Sequence, residues 1–175
     1  MNHSNQFFNF LSRLDSENIR YVIIRGFRKF PESGDSDVDL VFHLDDEERY
    51  KSLAMESLDK GHWCSRGSGE WCEMMYYPSF TKGEKDPSID NGFFRVDSYN
   101  SLHFKSPYNN FKTWWTCSKE FNNLVIETRK QINAPFGRYY IPEEECEITL
   151  LVVRNVLDNK DKTKFSSKHS NRIEQ

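Results

Sequence analysis

The sequence predicts an α/β (α+β) domain: a mixed, mostly antiparallel sheet backed by helices on one face. Three observations lead there. "DVDLVF" (37–42) and "FFRVDSY" (93–99) alternate polar and apolar side chains with the period of a strand. "YVIIRG" (21–26) is a short unbroken apolar run of the kind buried on both faces of a sheet. Apolar residues also recur at helical spacing near both ends, as Phe7, Phe10, Leu11 and Leu14, and as Ile148, Leu151, Val152 and Val156. At 175 residues the chain can close one core without disulfides, so residues 1–160 are assigned to one domain with a C-terminal helix and 161–175 to a polar tail.

In chain order, Ser4 or Asn5 can cap a helix over 5–17, and the first strand follows at 21–26. A loop with Pro31, Ser33 and Gly34 leads to the second strand, whose alternation places Asp37, Asp39 and Val41 on one face and Val38, Leu40 and Phe42 on the other. Asp45 to Glu48 suit the positive N-terminus of a helix carrying Tyr50, Leu53, Ala54 and Leu58 on one side. "HWCS" and "EWCEMMYY" flank the turn signal "RGSG", which predicts a hairpin over 62–77, and the Pro- and Gly-containing stretch 78–92 reads as a loop. Beyond the strand at 93–99, most of 117–131 is expected to be helical, "GRYYIP" extended, and Pro142 with three glutamates opens the last helix, with Ile148, Leu151, Val152 and Val156 as its buried stripe.

Charge and cysteine usage narrow the function classes. Lys and Arg total 24 against 27 Asp and Glu, so a net charge of −3 offers no general attraction to long nucleic acid or an anionic membrane. No stretch approaches the roughly 20 apolar residues of a membrane span, and the first residues lack a signal-peptide pattern, so a cytoplasmic protein without a membrane partner is expected. Cys64, Cys72, Cys117 and Cys146 have no CxxC spacing and read as reduced thiols; "HWC" with Cys72 lacks a fourth zinc ligand. His43 and His103 follow acid-bearing strands and read as packed or surface residues. Trp63, Trp71, Trp114 and Trp115 read as core or hairpin packing.

The acids inside the strands carry the chemistry. Asp37 and Asp39, two apart on one strand face, lie about 6–7 Å apart at the backbone, so their carboxylates can converge on one cation. A divalent ion compensates the repulsion and desolvation that the pair would otherwise suffer, and oxygen-only ligation favours Mg²⁺. Asp97 supplies a third ligand or a general base. The string "GDSDVD" fits other accounts: a polar loop entering a strand, with Asp39 paired to a cation, or the metal-binding Asp-x-Asp of a nucleotide-sugar glycosyltransferase. An EF-hand loop fits Asp35, Asp37, Asp39 and Asp46 but puts Leu40 where its sharp-turn Gly belongs.

"YVIIRGFRKFPESGDSDVDLVF" followed by "RVDSY" resembles the signature of the DNA polymerase beta-like nucleotidyltransferase superfamily: an apolar strand, a Gly turn, about ten residues, Asp-x-Asp leading a second strand, and a third acid on a later one. The likeness spans residues 18–100. It implies a nucleotidyltransferase-like sheet in which Asp37, Asp39 and Asp97 are the catalytic and metal-binding acids for Mg²⁺ (or Mn²⁺), and an NTP attacked at its alpha phosphorus by an unidentified hydroxyl acceptor. The superfamily usually has Ser after this Gly, whereas here Phe27 follows Gly26. Binding of the triphosphate then falls to the turn at Gly26 and to Arg25 and Arg28, with Lys29 nearby, Arg being the better phosphate partner. A non-catalytic binding or regulatory module on the same fold is the competing expectation. Oligomeric state has no sequence signal.

Overall fold

A computed structural model describes residues 3–26, 37–58, 61–66, 73–78, 95–105, 114–134 and 137–157. Their elements are helix α1 (His3–Ser16), strands β1 (Tyr21–Arg25) and β2 (Asp37–Phe42), a 3₁₀ turn (Leu44–Asp46), helix α2 (Glu47–Ser57), strands β3 (Gly61–Arg66), β4 (Glu73–Pro78), β5 (Arg95–Tyr99), β6 (His103–Lys105) and β7 (Trp114–Thr116), helix α3 (Lys119–Glu127), strands β8 (Lys130–Ala134) and β9 (Gly137–Ile141), and helix α4 (Glu144–Leu157). Residues 67–69 of the "RGSG" turn, the 79–92 part of the expected loop, Arg28 and the 161–175 tail lie outside the described residues.

Five strands form the main sheet in the order β1-β2-β5-β4-β3, and β6-β7 and β8-β9 are separate hairpins. Within the main sheet β2 and β5 run parallel, while β1-β2, β5-β4 and β4-β3 are antiparallel. A mixed, mostly antiparallel α+β architecture is what the alternating strands predicted.

The helices, however, lie on both faces of the sheet rather than one. Tyr21, Ile23, Val38, Leu40, Phe42 and Val96 pack with Phe7, Phe10, Leu11 and Leu14 of α1 and with Tyr50, Leu53 and Ala54 of α2. Val22 and Val41, which alternate with those strand residues, pack with Val125 and Ile126 of α3 and Cys146 and Leu150 of α4. The physical reason is the unbroken apolar run of β1: a strand apolar on both sides must be covered on both sides.

Tyr50 sits at the centre of the α1-α2 layer. Its ring stacks on Phe42 at 4.1 Å between centroids and meets Phe10 edge-on at 5.7 Å. Its hydroxyl donates to Ser98 Oγ of β5 at 2.6 Å, which satisfies both polar groups within the core.

α3 spans Lys119–Glu127, most of the expected 117–131: the Ser118 hydroxyl accepts from the Phe121 amide at 3.3 Å at its start, and the Thr128 hydroxyl and Arg129 guanidinium donate to the Leu124 and Ile126 carbonyls at its end. Lys130 then enters β8, whose pairing with β9 overrides the local helical signal. In α4, Ile148, Val152 and Val156 are 42, 43 and 67% exposed, so most of the expected stripe faces outward. Leu151 alone of that stripe is buried, while Cys146 and Leu150, with Val153 and Leu157 packed against them, form the inward face. "CEITLLVVRNVL" carries apolar residues at helical spacing on two sides, and the one that includes the small Cys146 meets the sheet.

A charged knot fastens the start of α2 to the residue that leads into β1. Asp46 Oδ2 accepts from the Arg20 backbone amide at 3.1 Å and from its Nε at 2.8 Å, and Arg49 approaches Oδ1 at 3.5 Å. Burial pushes the Asp46 carboxyl up, but the hydrogen bonds and charge of Arg20 outweigh it and hold the group below the usual aspartate range. A depressed folded-state pKa contributes stability above the unfolded pKa and loses it as pH falls through the folded one. Asp46→Asn is therefore expected to lower the urea midpoint at pH 6, and the gap from wild type should narrow below about pH 4. A gap that stays constant down the titration would show that this ion pair does not stabilise the fold.

Candidate functional site

The pairing of β2 with β5 sets Asp37 beside Arg95, Val38 beside Val96 and Asp39 beside Asp97. Residues paired across neighbouring strands point to the same side of the sheet at a strand spacing of about 4.8 Å. Asp39 and Asp97 therefore stand side by side on the face that α3 and α4 cover, and both are buried, at 1 and 3% exposure. Asp37 stands two strand positions before Asp39 in β2, paired with Arg95 of β5. The acids occupy the β2 end nearest Asp37, one pleat beyond Val41 of the second core cluster.

On the other side of Asp39 runs β1. Val22 pairs with Val41 and Ile23 with Leu40, and an irregularity in register then brings Arg25 opposite Asp39. The extra residue is Ile24, a bulge that re-aims the strand end. Arg25 grips Asp39 through a fork, with Nε at 2.7 Å from Oδ2 and Nη2 at 3.3 Å from Oδ1. Gly26 follows with φ +84°, a left-handed conformation that a side chain disfavours. That conformation gives a physical reason for Gly at the turn apart from any ligand.

A second guanidinium reaches the same carboxylate from α4: Arg154 Nη2 lies 3.3 Å from Asp39 Oδ2. Sequence reasoning missed Arg154, because "VVRNV" in a helix reads as an ordinary surface charge. Only the packing of Cys146 and Leu150 on the sheet carries that stretch of α4 to the acids.

The remaining described candidates have contacts of their own. His43 is buried beyond the far end of β2, where Nδ1 accepts from the Asp45 amide at 3.2 Å and so caps the 3₁₀ turn; burial, aided by Arg20, lowers its pKa. His103 meets the Tyr99 ring edge-on at 4.5 Å. Trp115 is exposed on the small β6-β7 hairpin rather than packed in a core. Cys117 and Cys146 are free thiols, and burial raises the Cys117 pKa. Cys72 lies outside the described residues.

Among the described residues no three His, Cys, Asp or Glu side chains form a metal-holding group. The donor chemistry of the acid pair nevertheless suits a hard cation: two buried carboxylates in register, whose ligand atoms are oxygen. In the arrangement described, the two guanidiniums supply the positive charge that the buried Asp39 anion needs. Among the described residues no helix is long and apolar enough to cross a membrane. No family model, curated protein or solved structure matches the chain.

Proposed function

We propose that the chain is a metal-dependent nucleotidyltransferase that transfers a nucleoside monophosphate from an NTP to a hydroxyl group on a small molecule, a phosphosugar or a protein side chain. The observation that carries this reading is the side-by-side burial of Asp39 and Asp97 on adjacent parallel strands. Two buried carboxylates on neighbouring strands are costly without counter-charge; Arg25 and Arg154 supply it to Asp39, and a divalent cation with a polyphosphate would supply it to the pair.

Asp39 and Asp97, with Asp37 one pleat away, would hold Mg²⁺ or Mn²⁺. The bound ion would supply Lewis acidity and charge neutralisation at the phosphoryl oxygens. Asp97 orients the acceptor hydroxyl and takes its proton as the bond to the alpha phosphorus forms and pyrophosphate leaves. Arg25, at the mouth of β1 and half exposed, together with Arg28 in the following stretch, attracts the triphosphate.

The test is pyrophosphate release from purified protein with Mg²⁺ or Mn²⁺, each NTP in turn and an acceptor panel. The expected result is metal-dependent release with at least one NTP, together with a metal-dependent rise in melting temperature on nucleotide addition. A protein that neither releases pyrophosphate nor responds to any nucleotide overturns the reading.

One observation favours a second reading, a non-catalytic module of the same architecture: the Asp39 carboxylate is already held by both Arg25 and Arg154. Nucleotide binding without metal dependence and without pyrophosphate release is the result expected of that module.

A further inference from the structure

Nothing in the proposed reaction calls for Arg154, yet it crosses from the C-terminal helix to one of the two buried acids. Asp39 Oδ2 accepts from Arg25 at 2.7 Å and from Arg154 at 3.3 Å, and Oδ1 accepts from Arg25 at 3.3 Å. A carboxylate has about four lone-pair positions, so three contacts leave little room for a hard cation on this one. Asp39 is 1% exposed, which leaves it no solvent-facing edge on which to take an ion beside both guanidiniums. A guanidinium and a divalent ion sharing one oxygen also repel each other strongly in a site of low dielectric. One arginine has to leave before Asp39 can ligate a metal.

The two contacts are unequal. Arg25 is forked, uses both carboxylate oxygens and is anchored in the strand beside Asp39. Arg154 makes one longer contact to this carboxylate, on the end of a flexible stem from a different element. The single, longer bond is the weaker one and breaks first.

The geometry points to Arg154 as a positioning residue that competes with divalent metal for Asp39: it holds the carboxylate in place while no metal is present and withdraws when metal enters. This inference rests on the metal-centre reading given above. Its consequence is that cation and polyphosphate bind together. A metal entering alone expels a guanidinium and leaves excess positive charge beside a buried pair of acids, whereas a metal with its triphosphate gives the displaced Arg154 an anion to meet. The contact from Arg154 of α4 to Asp39 of the sheet is then made only while the site is empty.

Mn²⁺ binding to the full chain, read without nucleotide from the electron paramagnetic resonance of free Mn²⁺, tests the inference directly. Arg154→Met keeps an apolar stem and removes the charge. It is expected to tighten Mn²⁺ binding about tenfold, the scale of one charge-assisted hydrogen bond. Arg154→Lys keeps a competing cation and should restore the wild-type affinity, which a merely structural role for the helix contact would not require. Should Arg154→Met fail to fold, as judged by its melting curve, Arg154→Gln takes its place with the same expectation. An unchanged or weaker Mn²⁺ affinity in the neutral variants, with wild type binding Mn²⁺ normally, overturns the competition and leaves the metal centre standing. Absence of Mn²⁺ binding in every protein, with and without a nonhydrolysable NTP, removes the metal centre and the competition together.

Discussion

Asp97→Asn is expected to lower pyrophosphate release by about a thousandfold or more while the chain stays folded. The amide has nearly the shape of the carboxylate, but it carries no charge for a hard cation and no basic oxygen for the acceptor proton. Removing this charge also relieves repulsion with Asp39, its neighbour across the parallel pair. Metal-dependent nucleotide stabilisation should vanish from a protein that still melts cooperatively. Asp39→Asn is a poorer probe. From the sequence alone it would remove the nucleotide response and leave the fold intact, but Asp39 anchors the guanidiniums of Arg25 and Arg154, so its neutralisation is expected to cost about 1–3 kcal/mol of stability as well. Pyrophosphate release and thermal melting measured on the same samples separate the two variants. Wild-type turnover in Asp97→Asn would remove this residue from the site.

Tyr50→Ala is expected to destabilise the protein by about 3–5 kcal/mol, with the melting temperature lowered by about 10 °C. Tyr50 is fully buried, stacked on Phe42 of β2 and set against Phe10 of α1, so its loss opens a cavity between both helices of that layer and the sheet. Burial pushes its phenol far above the usual tyrosine range, against the opposing hydrogen bond with Ser98. Tyr50→Phe keeps the ring and removes only that bond, and should cost about 1 kcal/mol. Urea denaturation of the two variants divides the contribution of the ring from that of the hydroxyl. Equal losses in both would mean that the hydroxyl, and not the ring, carries the stabilisation.

How much of this was legible depended on whether the signal was local. β2 announces itself because its alternation is strict: Val38, Leu40 and Phe42 pack on one side, Val41 and Asp39 on the other. β1 was equally readable, and its unbroken apolar run already implied a helix layer on each side, an implication that a single-faced sheet did not honour. α4 was located correctly but with most of its expected stripe turned outward, since periodicity alone cannot choose between two apolar sides of one helix. The β6-β7 hairpin and the strand at Lys130 escaped because three- and five-residue strands are too short for alternation to register, and the helical signal before Lys130 runs on into β8. The same logic applies to the candidate site. Asp39 and Asp97 could be nominated because each interrupts an alternating strand, and Arg25 because it ends one. The bulge that aligns Arg25 with Asp39 and the helix packing that delivers Arg154 are tertiary events with no local trace.

The parallel neighbours β2 and β5 have a kinetic consequence. They are joined through α2, β3 and β4, so two carboxylates that end side by side start about sixty residues apart in the chain. Closing so long a loop forfeits chain entropy well before any contact returns it, whereas the β3-β4 hairpin closes a far shorter one. The acid pair is accordingly expected to come together after that hairpin. A nascent chain that has not yet delivered β5 to the sheet holds Asp39 with no second acid beside it.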